Sequence, residues 1–294
     1  MSETRRLEDL GIIEIEEDLR RLSYEQLVAH FGSKRSGRLV MTRLMRSVIW
    51  QARRQIQRGE EEPVYGNLRT FWYRFLKPII ARLPSDQAPK QDPYDAMLAV
   101  FVELVIEHKL FKYRDLDLTD ENWENRRIGT TRPDVLVFAE KRGWVRFLRD
   151  LHAQWGVSTL ALGGAPSALT SEYTADHIRA VLPPGQPLML IGLVDFDPAG
   201  AVIAAAFQRQ LAAQGLDISA LHTPVHPKRY NAEELELFSY PLPRRQPTLT
   251  RRWLEQTGGV LGQPRGLELE SMPRGRLLSL LAEQITARPP VRRS

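Results

Sequence analysis

At 294 residues the chain is long enough for two domains with a sizeable core. It contains no cysteine, which excludes a disulfide framework and a thiolate metal site. The formal net charge of +5 is unevenly placed: residues 33–58 hold eight basic residues and no acid, a patch suited to a polyanion such as nucleic acid. No signal peptide or long apolar span is seen, so a cytoplasmic, nucleoid-associated protein without a membrane partner is expected.

The charged start, residues 1–17, is expected to be frayed or weakly docked. SYEQLVAHFG, residues 23–32, has a Ser23 cap, Gln26 in place for a capping box and a Gly32 stop. A second helix is predicted over residues 36–58, where Val40, Leu44, Val48 and Ala52 form one line and Met45, Ile49 and Ile56 lie beside it. Arg38, Arg43, Arg46, Arg53, Arg54 and Arg58 occupy the rest of that helix, with Lys34 and Arg35 just ahead. These cations read either as a solvated face or as a DNA-contacting helix, and the absence of acids between them favours contact. GNLRTFWYRFLKPIIARLP, residues 66–84, is a third helix with a broad apolar face and with Tyr73 four residues after Arg69. A loop precedes a long apolar helix over residues 94–111, and the polar stretch 113–133 reads as a loop or wing. Short helices with basic faces followed by a hairpin-like stretch fit a winged-helix DNA-binding domain.

The pattern then changes to alternating strands and helices. DVLVFAE, residues 134–140, is an apolar strand ending in Glu140, and an amphipathic helix follows over residues 143–156. TLALGG, residues 159–164, is a strand ending in the pair Gly163 and Gly164, and a helix over residues 171–182 leads onward. LMLIGLVDFDPAG, residues 188–200, is a strand buried on both faces that ends in Asp195 and Asp197; Pro198 starts a helix closed by Gly215. This order predicts a parallel sheet with its site at the carboxyl ends of the strands. Asp195 and Asp197 point to one side of an extended chain, where their repulsion is relieved by a hard divalent cation, best Mg²⁺. The other reading makes them helix-capping acids. Residues 218–227 resemble a fourth strand; His222 and His226 there invite a zinc reading, which the intervening prolines and the lack of a third ligand oppose. Arg244, Arg245, Arg251 and Arg252 lie in a loop-rich stretch, either tracking phosphate or covering the surface. Leu267, Leu269, Met272 and residues 276–285 suggest a final packing element.

A Glu ending one strand, a glycine turn ending the next and D-x-D ending the third resembles the Toprim pattern of topoisomerases, primases and some nucleases, over residues 132–224. The longer D-F-D-P-A-G is similar to the D-x-D-P-x-G of the topoisomerase VI A subunit-like family, which includes the meiotic double-strand-break protein. In that family a winged-helix domain ahead of the Toprim domain carries a nucleophilic tyrosine four residues after an arginine. L-R-T-F-W-Y supplies Arg69 and Tyr73, with Trp72 as the preceding aromatic; Thr70 stands where an acid is common. The resemblance implies an α plus α/β chain: an N-terminal segment 1–22, a mostly helical winged-helix domain 23–130, and a Toprim domain with a C-terminal extension, 131–294.

It further implies Mg²⁺-dependent cleavage of double-stranded DNA by a short, stand-alone prokaryotic version of the family. Tyr73 is the expected nucleophile, Arg69 its supporting cation, and Glu140, Asp195 and Asp197 the metal ligands, with Glu140 alternatively a general acid or base. Gly163 and Gly164 join Lys34, Arg35, Arg38, Arg43, Arg46, Arg53 and Arg54 as expected DNA contacts. The family's active unit is a homodimer, and because the chain has no P-loop, strand passage requires a separate ATPase subunit. Two other readings are a hydrolytic Toprim nuclease of the plasmid-defence kind, which forms no covalent intermediate, and a non-catalytic DNA-binding subunit.

Overall fold

The computed structural model describes residues 3–86, 89, 93–243, 245 and 247–287. The chain divides into two compact units, Met1–Glu121 and Asn122–Ser294. The boundary falls earlier than the expected 130/131 because residues 126–127 join the sheet of the second unit.

The first unit is helical. α1 spans Glu3–Asp9, and α2, Tyr24–Phe31, opens with the expected capping box between Ser23 and Gln26. α3, Met41–Gln57, buries Leu44, Met45, Val48, Ile49 and Ala52, the predicted apolar face, together with Trp50. α4, Leu68–Phe71, runs into a π-helical turn, Trp72–Leu76, and then into α5, Lys77–Ile80. α6, Tyr94–Val102, also ends in a π-helical turn, Glu103–Glu107. An aromatic cluster joins these helices: Phe71 meets Phe101 edge-on at 5.0 Å, and Phe101 stacks on Tyr113 at 5.7 Å.

Two expectations need correction here. The polar stretch 113–133 forms no hairpin among the described residues. Tyr113–Leu116 and Trp123–Asn125 are 3₁₀ turns, and strand pairing among the described residues of the first unit is limited to the isolated bridges Gly32↔Leu39 and Gly66↔Leu118. The arginines of α3 are also not left without acids. Arg46 pairs with Glu103 at 2.7 Å and donates to the Leu10 carbonyl, and Arg54 meets Glu14 at 2.8 Å. Arg53 stacks over Trp50 and lies 3.7 Å from Asp115. Their partners come from segments outside residues 33–58, so an acid-free stretch of sequence did not mean an acid-free environment. Arg46, Arg53 and Arg54 thus serve the unit's own packing, while Lys34, Arg35, Arg38 and Arg43 remain exposed.

The second unit is built on a five-stranded sheet of order β1-β3-β2-β4-β5: β1 Arg126–Arg127, β2 Arg132–Ala139, β3 Val157–Ala161, β4 Leu188–Leu193 and β5 Ile218–His222. β2 pairs in parallel with β3 and β4, β4 pairs in parallel with β5, and only β1 runs antiparallel. All six residues of β4 are buried, as a continuous apolar run in a parallel sheet requires, and all eight of β2 are buried too, its apolar residues 135–139 following a paired Arg132 and Asp134. The crossovers are α7 Val145–Trp155, α8 Ala168–Arg179 and α9 Pro198–Ala213. α8 and α9 cover one face with Ile178, Phe207 and Leu211. α7 covers the other with Leu148 and Leu151, joined there by Trp253, Leu277 and Leu281 of the C-terminal stretch. That stretch contributes α10 Ala232–Phe238, β6 Ser239–Pro241, α11 Pro247–Thr257, β7 Arg265–Leu267 and α12 Arg274–Thr286, with β6 antiparallel to β7. No described helix in either unit is long and apolar enough to cross a membrane.

Candidate active site

The register of the sheet brings the predicted acids together. Ala139 and Leu193 are partners at the carboxyl ends of the adjacent strands β2 and β4, and the Glu140 amide donates to the Leu193 carbonyl at 3.2 Å. Glu140 therefore leaves β2 beside the point where Asp195 and Asp197 leave β4. Burial pushes its carboxyl above the ordinary value, and the charges of Asp195, Asp197 and Glu270 push it further, against the pull of Lys141. No hydrogen bond to the Glu140 carboxylate occurs among the described residues.

The D-F-D-P-A-G segment has a local reason for each of its fixed features. Asp197 is the N-cap of α9, its Oδ1 accepting the Gly200 amide at 2.7 Å, and Pro198 fills the first helical position. Gly200 sits on the Asp195 carbonyl, where a Cβ would lie 2.2 Å from the oxygen. Phe196 is clamped at both ends of its backbone, its amide to the Leu267 carbonyl at 2.8 Å and its carbonyl to the Leu267 amide at 3.1 Å. Its ring is buried against Trp253 and His226. The two aspartates thus stand on either side of a fixed point.

The remaining partners come from the C-terminal stretch. Tyr240 donates to Asp197 Oδ2 at 2.7 Å, and the Leu269 amide donates to Asp195 Oδ1 at 2.8 Å. Lys141, next to Glu140, bridges two acids: its Nζ lies 3.1 Å from Asp195 Oδ2 and 2.9 Å from Glu270 Oε2. Trp144 donates to the other Glu270 oxygen at 3.3 Å. Burial opposes the Lys141 charge, but its carboxylate partners outweigh that and raise its pKa far above the usual lysine range. Burial likewise opposes the Glu270 charge, yet the Lys141 hydrogen bond holds its pKa below the ordinary value. Sequence reasoning did not find Lys141, Tyr240 or Glu270, and read Leu269 only as part of a packing element. Only Lys141, a cation beside a strand-terminal acid, carried a local signal.

The donor set suits a hard divalent cation, because Glu140, Asp195, Asp197 and Glu270 offer only oxygen. As they stand, no group of three or more His, Cys, Asp or Glu side chains among the described residues is arranged to hold a metal ion. Both Asp197 oxygens are engaged by Gly200 and Tyr240, and the Lys141 ammonium supplies the local positive charge. His226 is occupied otherwise, its Nδ1 accepting the Lys228 amide at 3.2 Å.

The glycine pair supports Glu140 through its backbone. Gly164 donates its amide to the Glu140 carbonyl at 2.9 Å. Gly163 is left-handed at φ +74°, and a Cβ there would lie 2.5 Å from Arg142 Nε, so the glycine makes room for the arginine.

In the first unit, Tyr73 is 54% exposed on the π-helical turn. Arg69 does not reach its ring; the Arg69 guanidinium stacks 3.8 Å from the Tyr94 ring centre, and Lys77 instead lies 4.4 Å from the centre of the Tyr73 ring. Trp72, the aromatic before Tyr73, is buried core. Arg245, Arg251 and Arg252 are exposed, and Arg244 lies outside the described residues. Comparison with protein-family models and with curated proteins finds no match for the chain.

Proposed function

We propose that the protein cleaves double-stranded DNA in a Mg²⁺-dependent reaction, with Tyr73 as nucleophile, in the manner of a topoisomerase VI A subunit. The observation that carries this reading is the convergence of Glu140, Asp195 and Asp197 at the ends of two adjacent parallel strands, where burial first and then the two aspartate charges push up the Glu140 carboxyl. Likes gathered this way are costly unless a cation joins them, and an active site is a common reason for such an arrangement.

Glu140, Asp195 and Asp197 are the residues to hold the ion, and Mg²⁺ bound there supplies charge neutralisation at the scissile phosphate. Asp195 and Asp197 are held by backbone and phenol donors, which fixes their orientation before substrate arrives. The Tyr73 oxygen forms a new bond to phosphorus as the bond to the 3′ oxygen breaks. The phenol's proton goes to a base, and the leaving 3′ oxygen takes up a proton, for which Glu140 is a candidate donor. The phosphotyrosine retains the energy for resealing. A homodimer that presents the tyrosine of one copy to the acids of another is part of this reading, as is a separate ATPase subunit should strand passage occur.

A hydrolytic nuclease is the second reading. It is favoured by the engagement of Arg69 with Tyr94, which takes the expected supporting cation away from Tyr73. A denaturing gel of the protein with labelled supercoiled DNA and Mg²⁺ separates the two. A covalent adduct lost in both Tyr73→Phe and Asp195→Ala supports the tyrosine mechanism. Cleavage without adduct, undiminished in Tyr73→Phe but lost in Asp195→Ala, replaces it with hydrolysis. No cleavage by the wild type under any divalent cation defeats both.

A further inference from the structure

The charged surface beside the acid cluster is organised differently from that of α3. Arg142, Arg146 and Arg149 recur at intervals of four and three along the 3₁₀ turn Arg142–Trp144 and α7, so they share one side of that helix. Phe147, Leu148 and Leu151 bury the opposite side. All three arginines are exposed, and none has an ion-pair partner among the described residues. This is the reverse of Arg46, Arg53 and Arg54, whose charges are spent inside their own unit.

The ridge begins at the candidate active site. Arg142 follows Glu140 and Lys141 directly and lies over Gly163, the glycine that ends the neighbouring strand. Alongside runs an open groove of about 580 Å³, walled by Trp144, Arg146, Phe147, Met272 and Arg274, with Glu270 at its lining. The two acids of the groove are already matched, Asp150 by Arg274 at 3.0 Å and Glu270 by Lys141 at 2.9 Å. The uncompensated charge of this surface is therefore positive, although it starts within a cluster of carboxylates.

We infer that Arg142, Arg146 and Arg149 form a phosphate-tracking ridge that lays one strand of a DNA duplex along α7 and leads its backbone to the acids at Glu140. The ridge rises about 10 Å over seven residues at ~1.5 Å each. That length matches about three phosphates of one strand at ~3.4 Å of axis per step. Arginine suits the task, since its planar fork meets phosphate oxygens in pairs and keeps its charge at any working pH. The direction of the ridge gives the site polarity: positive potential draws the backbone in, while the carboxylates admit only a stretch whose charge a cation has joined to them. This inference rests on DNA being the substrate of the acid site.

The test is duplex binding by the full chain without divalent cation, followed by fluorescence anisotropy over a range of salt. Neutralising three phosphate contacts makes the slope of log affinity against log salt shallower by about 2.7, at ~0.9 per contact. Arg142→Gln/Arg146→Gln/Arg149→Gln is expected to show that change, Arg146→Gln alone about a third of it, and Arg251→Gln/Arg252→Gln on α11 none. Because the three side chains are exposed and unpaired, the variants are expected to melt with the wild type. An unchanged slope in the triple variant overturns the ridge. If the wild type cleaves DNA while the triple variant binds unaltered, the ridge falls alone and the acid site stands. If the slope changes as expected but the wild type never cleaves, the ridge stands and the cleavage reading falls. A wild type that binds no duplex removes both.

Discussion

Tyr240 and Asp197 are joined across 43 residues by a 2.7 Å hydrogen bond from the phenol to Oδ2, while the other carboxylate oxygen caps α9. Burial and the Asp197 charge hold the Tyr240 phenol far above its ordinary pKa, so it remains a donor at any working pH. Tyr240→Phe removes an orienting donor from Asp197, one of the proposed metal ligands. It is expected to weaken Mg²⁺ binding about tenfold, the low end of what such a loss costs, and to lower stability by about 1–2 kcal/mol. Thermal melts with and without Mg²⁺ read both effects.

Glu140 gives the chain a pH dependence of predictable sign. Its carboxyl is raised by burial and by Asp195 and Asp197, so the folded state keeps this proton to higher pH than the unfolded state. Between the ordinary value of 4.5 and the raised one, the folded state binds more protons, and stability is lost as pH rises. Glu140→Gln cannot ionise. In the absence of divalent cation it should exceed the wild type in denaturant midpoint at neutral pH, with the advantage shrinking as pH falls towards 4.5. A constant difference across that range contradicts the assignment.

Lys141 supplies the internal charge of the acid cluster, bridging Asp195 and Glu270. Lys141→Met leaves the carboxylates without it. The variant is expected to lose no more than about 1 kcal/mol in metal-free buffer, since the pair is partly exposed, and to gain more than the wild type when Mg²⁺ or Ca²⁺ is added. Equal cation-induced shifts in the two proteins would show that the lysine does not compete for the site.

Arg132 and Asp134 form a buried two-pronged ion pair, with both contacts at 3.0 Å, and Arg132 also donates to the Ile285 carbonyl of α12. Asp134→Ala strands the arginine in the core and is expected to cost about 3–5 kcal/mol. Removing both charges with Arg132→Met/Asp134→Leu should recover most of that loss in urea unfolding.

The sheet and its acids were legible because each strand announces itself within a few residues: an unbroken apolar run, then Glu140, Gly163-Gly164 or Asp195-Phe196-Asp197. Parallel topology followed from the alternation of elements, and convergence followed from topology. What escaped reading was everything settled by distant partners. The α3 arginines looked free because Glu14, Glu103 and Asp115 lie outside their stretch. Tyr240 and Glu270 sit in loop-rich sequence with no period to mark them, yet they complete the site. The pairing of Arg69 with Tyr73 rests on helical spacing and on the family resemblance, neither of which carries any sign of Tyr94, the ring that takes the arginine instead from twenty-five residues away.

The clamp between Phe196 and Leu267 sets the order in which the protein can become itself during synthesis. The acid pair is translated some seventy residues before the strand that pins it and before Leu269, whose amide orients Asp195. Closing so long a loop is slow compared with forming the neighbouring helices and strands. A growing chain on the ribosome can thus carry all three acids and the sheet beneath them while the site is still unassembled.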